Sequence, residues 1–409
     1  MRISKTKVNE LREQKGFTTN TALAEQMGIT KNQLSTMLSE KYNPLKIKVQ
    51  ILCDTLGVSI EDILEPSYEI TLDDIKIDKP YSCIELFAGA GGLALGMEQA
   101  GLNHVMLVEF DKDCCETLKS NRPDWNIVCG DVHDVDFSAY KGKVDVVTGG
   151  FPCQAFSYAG KKLGFNDVRG TLFYEFARCV KEVQPKMFVA ENVRGLISHD
   201  NGRTLDTILG VFSSLGYNLD KKVLNACYYG VGQKRERIVI VGIHKDYEYN
   251  FKFPKPDLTA TVLRQALKNC PKSIGASYSE RKKKILDLVP PGGCWVDLPE
   301  DIAKDYMGKS YYSGGGKRGM ARRISWDEPC LTLTCSPSQK QTERCHPDET
   351  RPFTIRESAR IQSFPDDWYF CGGIGSQYKQ IGNAVPVEMA RRVGDEVIRS
   401  LQCLQKVVQ

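Results

Sequence analysis

The chain has 409 residues, of which 41% are hydrophobic and 26% charged, with 35 glycines. Length alone calls for two or more folding units, and the composition excludes disordered, collagen-like and coiled-coil chains. The net charge of +4 is bland but unevenly spread: residues 1–48 hold nine Lys/Arg against four Asp/Glu, and residues 245–344 hold eighteen against twelve. Two separated basic regions point to two polyanion-facing surfaces. No apolar stretch approaches the ~20 residues that a membrane span needs, and no apolar run follows the basic start. A cytoplasmic protein with no membrane association is expected. The fifteen cysteines include no Cys-x-x-Cys pair, and Cys330, Cys335, Cys345 and His346 are spaced wrongly for a zinc ribbon, so no metal is expected.

Residues 1–65 carry short pieces of helical periodicity, enough for four or five helices. Within them, ALAEQMGITKNQLSTML reads as a helix, a tight turn at Gly28, an N-cap at Thr30 and a second helix. The outward positions of that second helix, Lys31, Asn32, Gln33, Ser35 and Thr36, are all polar, as required of a helix lying in a major groove. The stretch resembles the Cro/repressor-type helix-turn-helix family. Asn20 stands where that family usually has a Gln on phosphate, and Glu40 stands where a helix-ending Gly is usual.

Residues 66–79 read as an acidic linker. From residue 80 onward, β-like runs (SCIEL, HVMLVE, NIVCGDV, VDVVTGG, MFVAEN, RIVIVGI) alternate with helical ones such as LALGMEQAG and GTLFYEFARCVKEV. That alternation predicts an α/β domain, Rossmann-like, with a mostly parallel sheet. The pattern holds over residues 80–245 and fails over 246–330, a Gly-, Pro-, Lys- and Tyr-rich insert. It returns over 331–409 with TIRESARIQSF and NAVPVEMARRVGDEVIRSLQCL.

The turn FAGAGG after the first strand puts Phe87, Gly89, Gly91 and Gly92 where backbone can approach a ligand at a helix N-terminus. Glu109 ends the next strand at a spacing suited to a ribose-binding carboxylate, and Asp131 ends the third. Such a turn fits any adenosine-containing cofactor. In GGFPCQAFS, Cys153 sits in a polar, Gly-flanked loop at the carboxyl end of a strand, the setting of a nucleophile, and Pro152 stiffens the loop. MFVAEN delivers Glu191 and Asn192 to the edge of the same crevice, where a carboxyl ending an apolar strand invites acid/base work. GQKRERIVIVG sets Arg235 and Arg237 two apart on one face, with Gln233 two earlier.

ELFAGAGG, GGFPCQAFS, ENVRGL, QKRERIVIVG and YKQIGNAVP, in that order and with an insert before the last, resemble the DNA cytosine-5 methyltransferases of restriction-modification systems. The resemblance implies an S-adenosyl-L-methionine-dependent enzyme. Its Cys153 would add to C6 of a flipped-out cytosine, Glu191 would relieve charge at N3, and Arg237, assisted by Arg235, would hold O2. It also implies that Phe87, Ala88, Gly89, Gly91, Gly92, Glu109, Phe110, Asp131, Val132, Pro152, Leu172, Asn383 and Val385 line the cofactor, which brings the GNAVP segment beside the first strand. The insert would choose the DNA target, with Lys309, Lys317, Arg318, Arg322 and Arg323 as expected groove or phosphate contacts and Gln233 beside them. A zinc deaminase is excluded, since Phe156 stands where a second Cys would be needed and no His-x-Glu occurs. An RNA cytosine-5 methyltransferase and a transcription regulator with a secondary enzymatic role are the alternatives. The expected partners are duplex DNA at two surfaces, a companion restriction endonuclease, and a second copy of the chain on an operator.

Overall fold

The computed structural model describes residues 3–39, 46–63, 81–152, 171–312 and 319–406. They belong to two compact units, Met1–Lys76 and Ile77–Gln409. The expected linker, Glu40, Cys153, Lys317 and Arg318 lie outside the described residues.

The first unit is all-helical: α1 (Lys5–Gln14), α2 (Asn20–Gln26), α3 (Lys31–Met37), α4 (Lys46–Leu56) and α5 (Ile60–Ile63). The apolar positions at helical spacing, among them Val8, Leu23, Leu34, Val49, Leu52 and Leu56, form its core. The turn at Gly28 takes a φ of 68°, open to glycine at no steric cost. Thr30 then caps α3 in a reciprocal box, its hydroxyl accepting from Gln33 N at 3.2 Å while Gln33 Oε1 accepts from Thr30 N at 2.8 Å.

The second unit is built on a seven-stranded sheet. Its strands are β1 (Tyr81–Leu86), β2 (Leu102–Glu109), β3 (Ile127–Cys129), β4 (Val146–Gly149), β5 (Met187–Val193), β6 (Tyr217–Asn225) and β8 (Glu236–His244), in the order β3-β2-β1-β4-β5-β8-β6. The first five are parallel, and β8 runs antiparallel to both β5 and β6. The two-residue strand β7 (Gln233–Lys234) pairs instead with Cys330–Leu331. Helices α6 (Gly92–Ala100), α7 (Lys112–Asn121), α8 (Leu172–Val183) and α9 (Arg203–Ser214) connect the strands. Three short helices lie in the insert: α10 (Leu263–Ala266), α11 (Glu280–Leu286) and α12 (Glu300–Met307). The chain closes with α13 (Ile355–Ile361), α14 (Ile374–Asn383) and α15 (Val387–Cys403).

The expected Rossmann-like α/β class is therefore the observed one, with the order of strands reversing between β1 and β4. Ligands in such sheets bind at the carboxyl ends beside that switch. Central strands are apolar because both faces are covered: α15, carrying Met389, Val393 and Val397, packs one face together with Met97 of α6. Of the seven strands of this sheet, β6 is the one that periodicity missed. It lies at the edge opposite β3, and its exposed Lys221 and Lys222 face solvent, so it lacks the apolar run of a central strand. Among the described residues, no helix is long and apolar enough to cross a membrane.

Candidate active site

After β1 the chain turns sharply. Phe87 sits at φ 58°, in the left-handed region where a bulky residue is seldom found, and Gly91 caps α6 at φ 83°. Such backbone outliers cluster where a surrounding structure holds a ligand site in shape. Ala88 is buried, and its carbonyl accepts from Gly91 N at 2.9 Å. A Cβ at Gly92 would collide with the backbone oxygen of Val385 and lie 3.2 Å from Ala384 Cβ, so only glycine lets the GNAVP segment close on the turn.

Glu109, at the end of β2, accepts from Gly89 N at 2.7 Å through Oε2. Its Oε1 accepts from Phe110 N at 2.9 Å and Asp111 N at 2.7 Å. A carboxylate has about four acceptor sites, so one remains for a hydroxyl. Next to it, Phe110 is 75% exposed, an open aromatic face suited to a flat heterocycle. Asp131 caps a 3-10 turn and accepts from His133 N at 3.1 Å and the His133 ring at 2.6 Å. Burial works to raise the Asp131 pKa, but the two His133 contacts outweigh it and hold the carboxyl below its ordinary value. Val132 is buried, Leu172 opens α8 half-buried, and Asn383 ends α14 exposed, its Oδ1 accepting from Cys335 Sγ at 2.9 Å.

One strand over, β4 ends in Gly149, followed by Gly150, the buried Phe151 and the exposed Pro152, the residue before Cys153. From β5, Asn192 Nδ2 donates to Phe151 O at 2.8 Å and its Oδ1 accepts from Val193 N at 2.8 Å. The neighbouring Glu191 reaches under the same loop, where a Cβ at Gly150 would sit 2.8 Å from Glu191 Oε2. Arg237 Nε lies 2.6 Å from Glu191 Oε1. Burial pushes the Glu191 carboxyl up, and Arg237 and Arg235 offset only part of that rise. The result is a carboxyl that keeps its proton to higher pH than usual, beside the Gly150–Pro152 segment that leads to Cys153.

Several expectations are corrected by the packing. Arg235 does not share the substrate-facing role expected of it: its buried guanidinium donates to Leu333 O at 3.3 Å and Gly382 O at 2.9 Å, joining the insert's exit to the end of α14. Gln233 is wholly buried, its Oε1 accepting from Leu333 N at 2.9 Å, and cannot touch DNA in this form. Arg323 is also buried, donating to Val289 O at 2.7 Å, Leu286 O at 2.8 Å, His346 O at 3.1 Å, Pro347 O at 3.3 Å and Thr350 Oγ1 at 2.7 Å. Arg322 pairs with Glu328 at 2.6 Å and bonds to Gly292 O. These arginines hold the insert together instead of facing a groove. On α3, Thr36 Oγ1 donates to Asn32 O at 2.9 Å, and the Asn20 that replaces the usual Gln accepts from Arg12 at 2.7 Å. Sequence reasoning placed Asn192 at the crevice but gave it no task; its adjacency to Glu191 was the available signal.

Comparison with known proteins agrees with this geometry. The profile of the C-5 cytosine-specific DNA methylase family matches residues 81–399, and that of the Cro/C1-type HTH DNA-binding domain matches residues 7–68. The chain is 52% identical to Type II methyltransferase M.Sau96I of Staphylococcus aureus, over 98% of this chain and 99% of that one. It is 57% identical to Type II methyltransferase M.Eco47II of Escherichia coli, over 82% and 83%. A crystal structure assigned as a prophage-encoded DNA modification methyltransferase from E. coli superimposes with a TM-score of 0.59 at 26% identity, covering 79% of this chain and all of that one. The Spodoptera frugiperda DNMT2 structure, at 16% identity and a TM-score of 0.57, shares the fold.

Proposed function

The chain belongs to the C-5 cytosine-specific DNA methylase family, and from that premise we propose that it is the modification enzyme of a type II restriction-modification system, acting through a covalent Cys153 intermediate on a flipped-out cytosine. The observation that carries this reading is the joint placement of Glu191 and Asn192. One is a buried carboxyl paired to Arg237, and the other holds the carbonyl two residues before Cys153.

The cofactor cradle supports S-adenosyl-L-methionine as the methyl source. Glu109 has an acceptor site to spare for ribose, Phe110 offers an open ring face to adenine, and the backbone over Gly92 is closed by Val385. Ala88, Gly89, Gly91, Asp131, Val132, Pro152, Leu172 and Asn383 complete the proposed wall. When bound, S-adenosyl-L-methionine supplies an electrophilic methyl to C5 of the base.

The chain's own residues make C5 able to accept it. A thiolate at Cys153 adds to C6, and Glu191 places its proton at N3, where negative charge would otherwise accumulate. Arg237 fixes Glu191 and offers its remaining donors to the base carbonyl. Arg235, tied to Leu333 and Gly382, keeps the insert and the GNAVP segment in register with that pair. Because C5 and C6 are stacked inside a duplex, the base must leave the helix for this contact, at a cost of a few kcal/mol.

The helix-turn-helix unit is proposed to read an operator of the gene itself, and a companion endonuclease would be the reason its dosage is controlled. The catalytic reading is tested by transfer of labelled methyl from S-adenosyl-L-methionine to DNA, with bisulfite sequencing of the product. Wild-type protein should mark one cytosine in a fixed sequence, and Cys153→Ser should transfer none while still binding cofactor. Retention of more than a few per cent of turnover in Cys153→Ser overturns it.

A further inference from the structure

The backbone of Glu109 is flanked by two cysteines that the reaction does not use. Cys115, in the first turn of α7, is buried and donates from Sγ to the backbone oxygen of Glu109 at 3.4 Å. Cys129, the last residue of β3, is exposed and stands opposite Glu109 in the β2/β3 register. The residue after Cys129 donates to that same Glu109 oxygen, Gly130 N at 2.9 Å, so both cysteines flank it. An exposed and a buried cysteine therefore meet at the strand end that carries the proposed ribose acceptor.

We propose that Cys115 and Cys129 form an oxidation site, closed to a disulfide by a hydroperoxide, and that closure opposes cofactor binding; the second half rests on reading Glu109 as the cofactor's carboxylate. Cys129 is the entry point, because solvent reaches it and not Cys115. Burial also pushes the Cys115 thiol up, so it is the poorer first nucleophile. Sulfur of Cys129 attacks one peroxide oxygen: an S–O bond forms, the O–O bond breaks, and the departing oxygen takes up the thiol's proton and leaves as alcohol or water. The product is a sulfenic acid. Sulfur of Cys115 then attacks that of Cys129, the S–S bond forms, the S–O bond breaks, and the hydroxyl leaves as water with the Cys115 proton. The two thiols lose two electrons and the peroxide gains them.

An S–S bond of ~2.05 Å is far shorter than any contact between two unbonded sulfurs. Closure thus draws the first turn of α7 toward the end of β3 and removes the Cys115 donor from Glu109 O. That turn begins directly after Asp111, whose N–H binds Glu109 Oε1 at 2.7 Å, so the displacement reaches the carboxylate. By reciprocity, bound cofactor must oppose closure by the same factor.

The test uses the full chain in a Cys153→Ser background, so that oxidation of the nucleophile does not intervene. Protein is treated with hydrogen peroxide, thiols are blocked and disulfides are mapped by mass spectrometry. S-adenosyl-L-methionine affinity is measured calorimetrically before oxidation, after it, and after dithiothreitol. The expected result is a Cys115–Cys129 cross-linked peptide with at least a tenfold rise in Kd, reversed by reductant. Adding Cys129→Ser should abolish both the cross-link and the rise, and saturating cofactor should retard the cross-link. No Cys115–Cys129 peptide, or a cross-link with unchanged Kd, overturns the proposal. If reduced protein binds no cofactor, the reading of Glu109 fails and the opposition fails with it, while the peptide map still decides the oxidation site.

Discussion

Arg237 Nε stands 2.6 Å from Glu191 Oε1, with 12% and 11% of the two side chains exposed. The pair has the geometry of a salt bridge, yet burial outweighs the guanidiniums and leaves Glu191 above 4.5, its ordinary value. In the unfolded chain that carboxyl ionises near its ordinary value, whereas the folded protein holds the proton longer. Stability is therefore unaffected below pH 4.5 and falls as pH rises toward the folded value, at about 1.4 kcal/mol per unit. Glu191→Gln, fixed neutral, escapes that loss. We expect it to unfold at a higher temperature than wild type at neutral pH, with the gap closing near pH 4, while methyl transfer falls about 10²- to 10⁴-fold. Thermal melts across pH decide it; a variant less stable at every pH would refute the assignment.

Asn192→Ala removes the donor to Phe151 O. The carbonyl it leaves is buried, so a stability loss of about 1–3 kcal/mol is expected. The more telling readout is kinetic. Single-turnover methyl transfer should slow at least tenfold with cofactor affinity unchanged, because Phe151, two residues before Cys153, loses its anchor. An unaltered rate would mean that the loop is held by other contacts.

Gly92→Ala addresses the other half of the site. The added Cβ meets the Val385 carbonyl, a backbone atom that cannot swing aside. Overpacking of this kind costs about 1–3 kcal/mol. Weaker S-adenosyl-L-methionine binding should accompany the loss, and unchanged affinity would show that the turn and the GNAVP segment do not shape the cofactor site together.

The sequence made some of this legible and not the rest, for physical reasons. Central strands, the Gly-rich turn and the acids Glu109, at the end of β2, Asp131, just past β3, and Glu191, near the end of β5, stand out because burial on both faces forces apolar runs, and polar residues that interrupt or follow them are then conspicuous. Strand β6 was hidden by its solvent-facing lysines. The arginines misled for another reason: charge is written in the sequence, but the acceptors are not. Arg323 finds its partners at Leu286, Val289, His346, Pro347 and Thr350, all distant in the chain. Arg235 likewise reaches Gly382, 147 positions on. The role of Asn192 needed the carbonyl of Phe151, which only the β4/β5 pairing brings near.

That distinction between buried and exposed cations is itself testable. Arg323→Ala strands several buried carbonyls, so it should cost on the order of 3 kcal/mol or more and open the insert to limited proteolysis. Lys309 is exposed. Lys309→Ala should leave stability unchanged, weaken binding to all duplexes alike, and lower the slope of log Kd against log salt by about one. Equal effects of the two substitutions on folding would contradict the burial argument.

On α3 the hydrogen bonds sort the polar residues by the work left to them. Gln33 Oε1 is engaged by Thr30 N at 2.8 Å, and Thr36 Oγ1 by Asn32 O at 2.9 Å. Lys31, Asn32 and Ser35 lie exposed on the same short helix. Gln33→Ala should therefore weaken binding to every DNA, because it loosens the capping box that holds the helix, a loss of about 0.5–2 kcal/mol. Asn32→Ala should cost ~1–3 kcal/mol at an operator and almost nothing on unrelated duplex, as expected of a residue that reads a base edge. Half-sites bind single helix-turn-helix units weakly, so operator binding should rise steeply with protein concentration as two copies occupy a near-palindromic site. Fluorescence anisotropy of the full chain on its own promoter and on scrambled DNA, at physiological salt, separates these outcomes. A promoter reporter should be repressed by wild type and by Cys153→Ser alike, and released by Asn32→Ala with genomic methylation intact. If the promoter is bound no better than scrambled DNA, autoregulation is wrong, and the unit serves instead to hold the enzyme on DNA of any sequence.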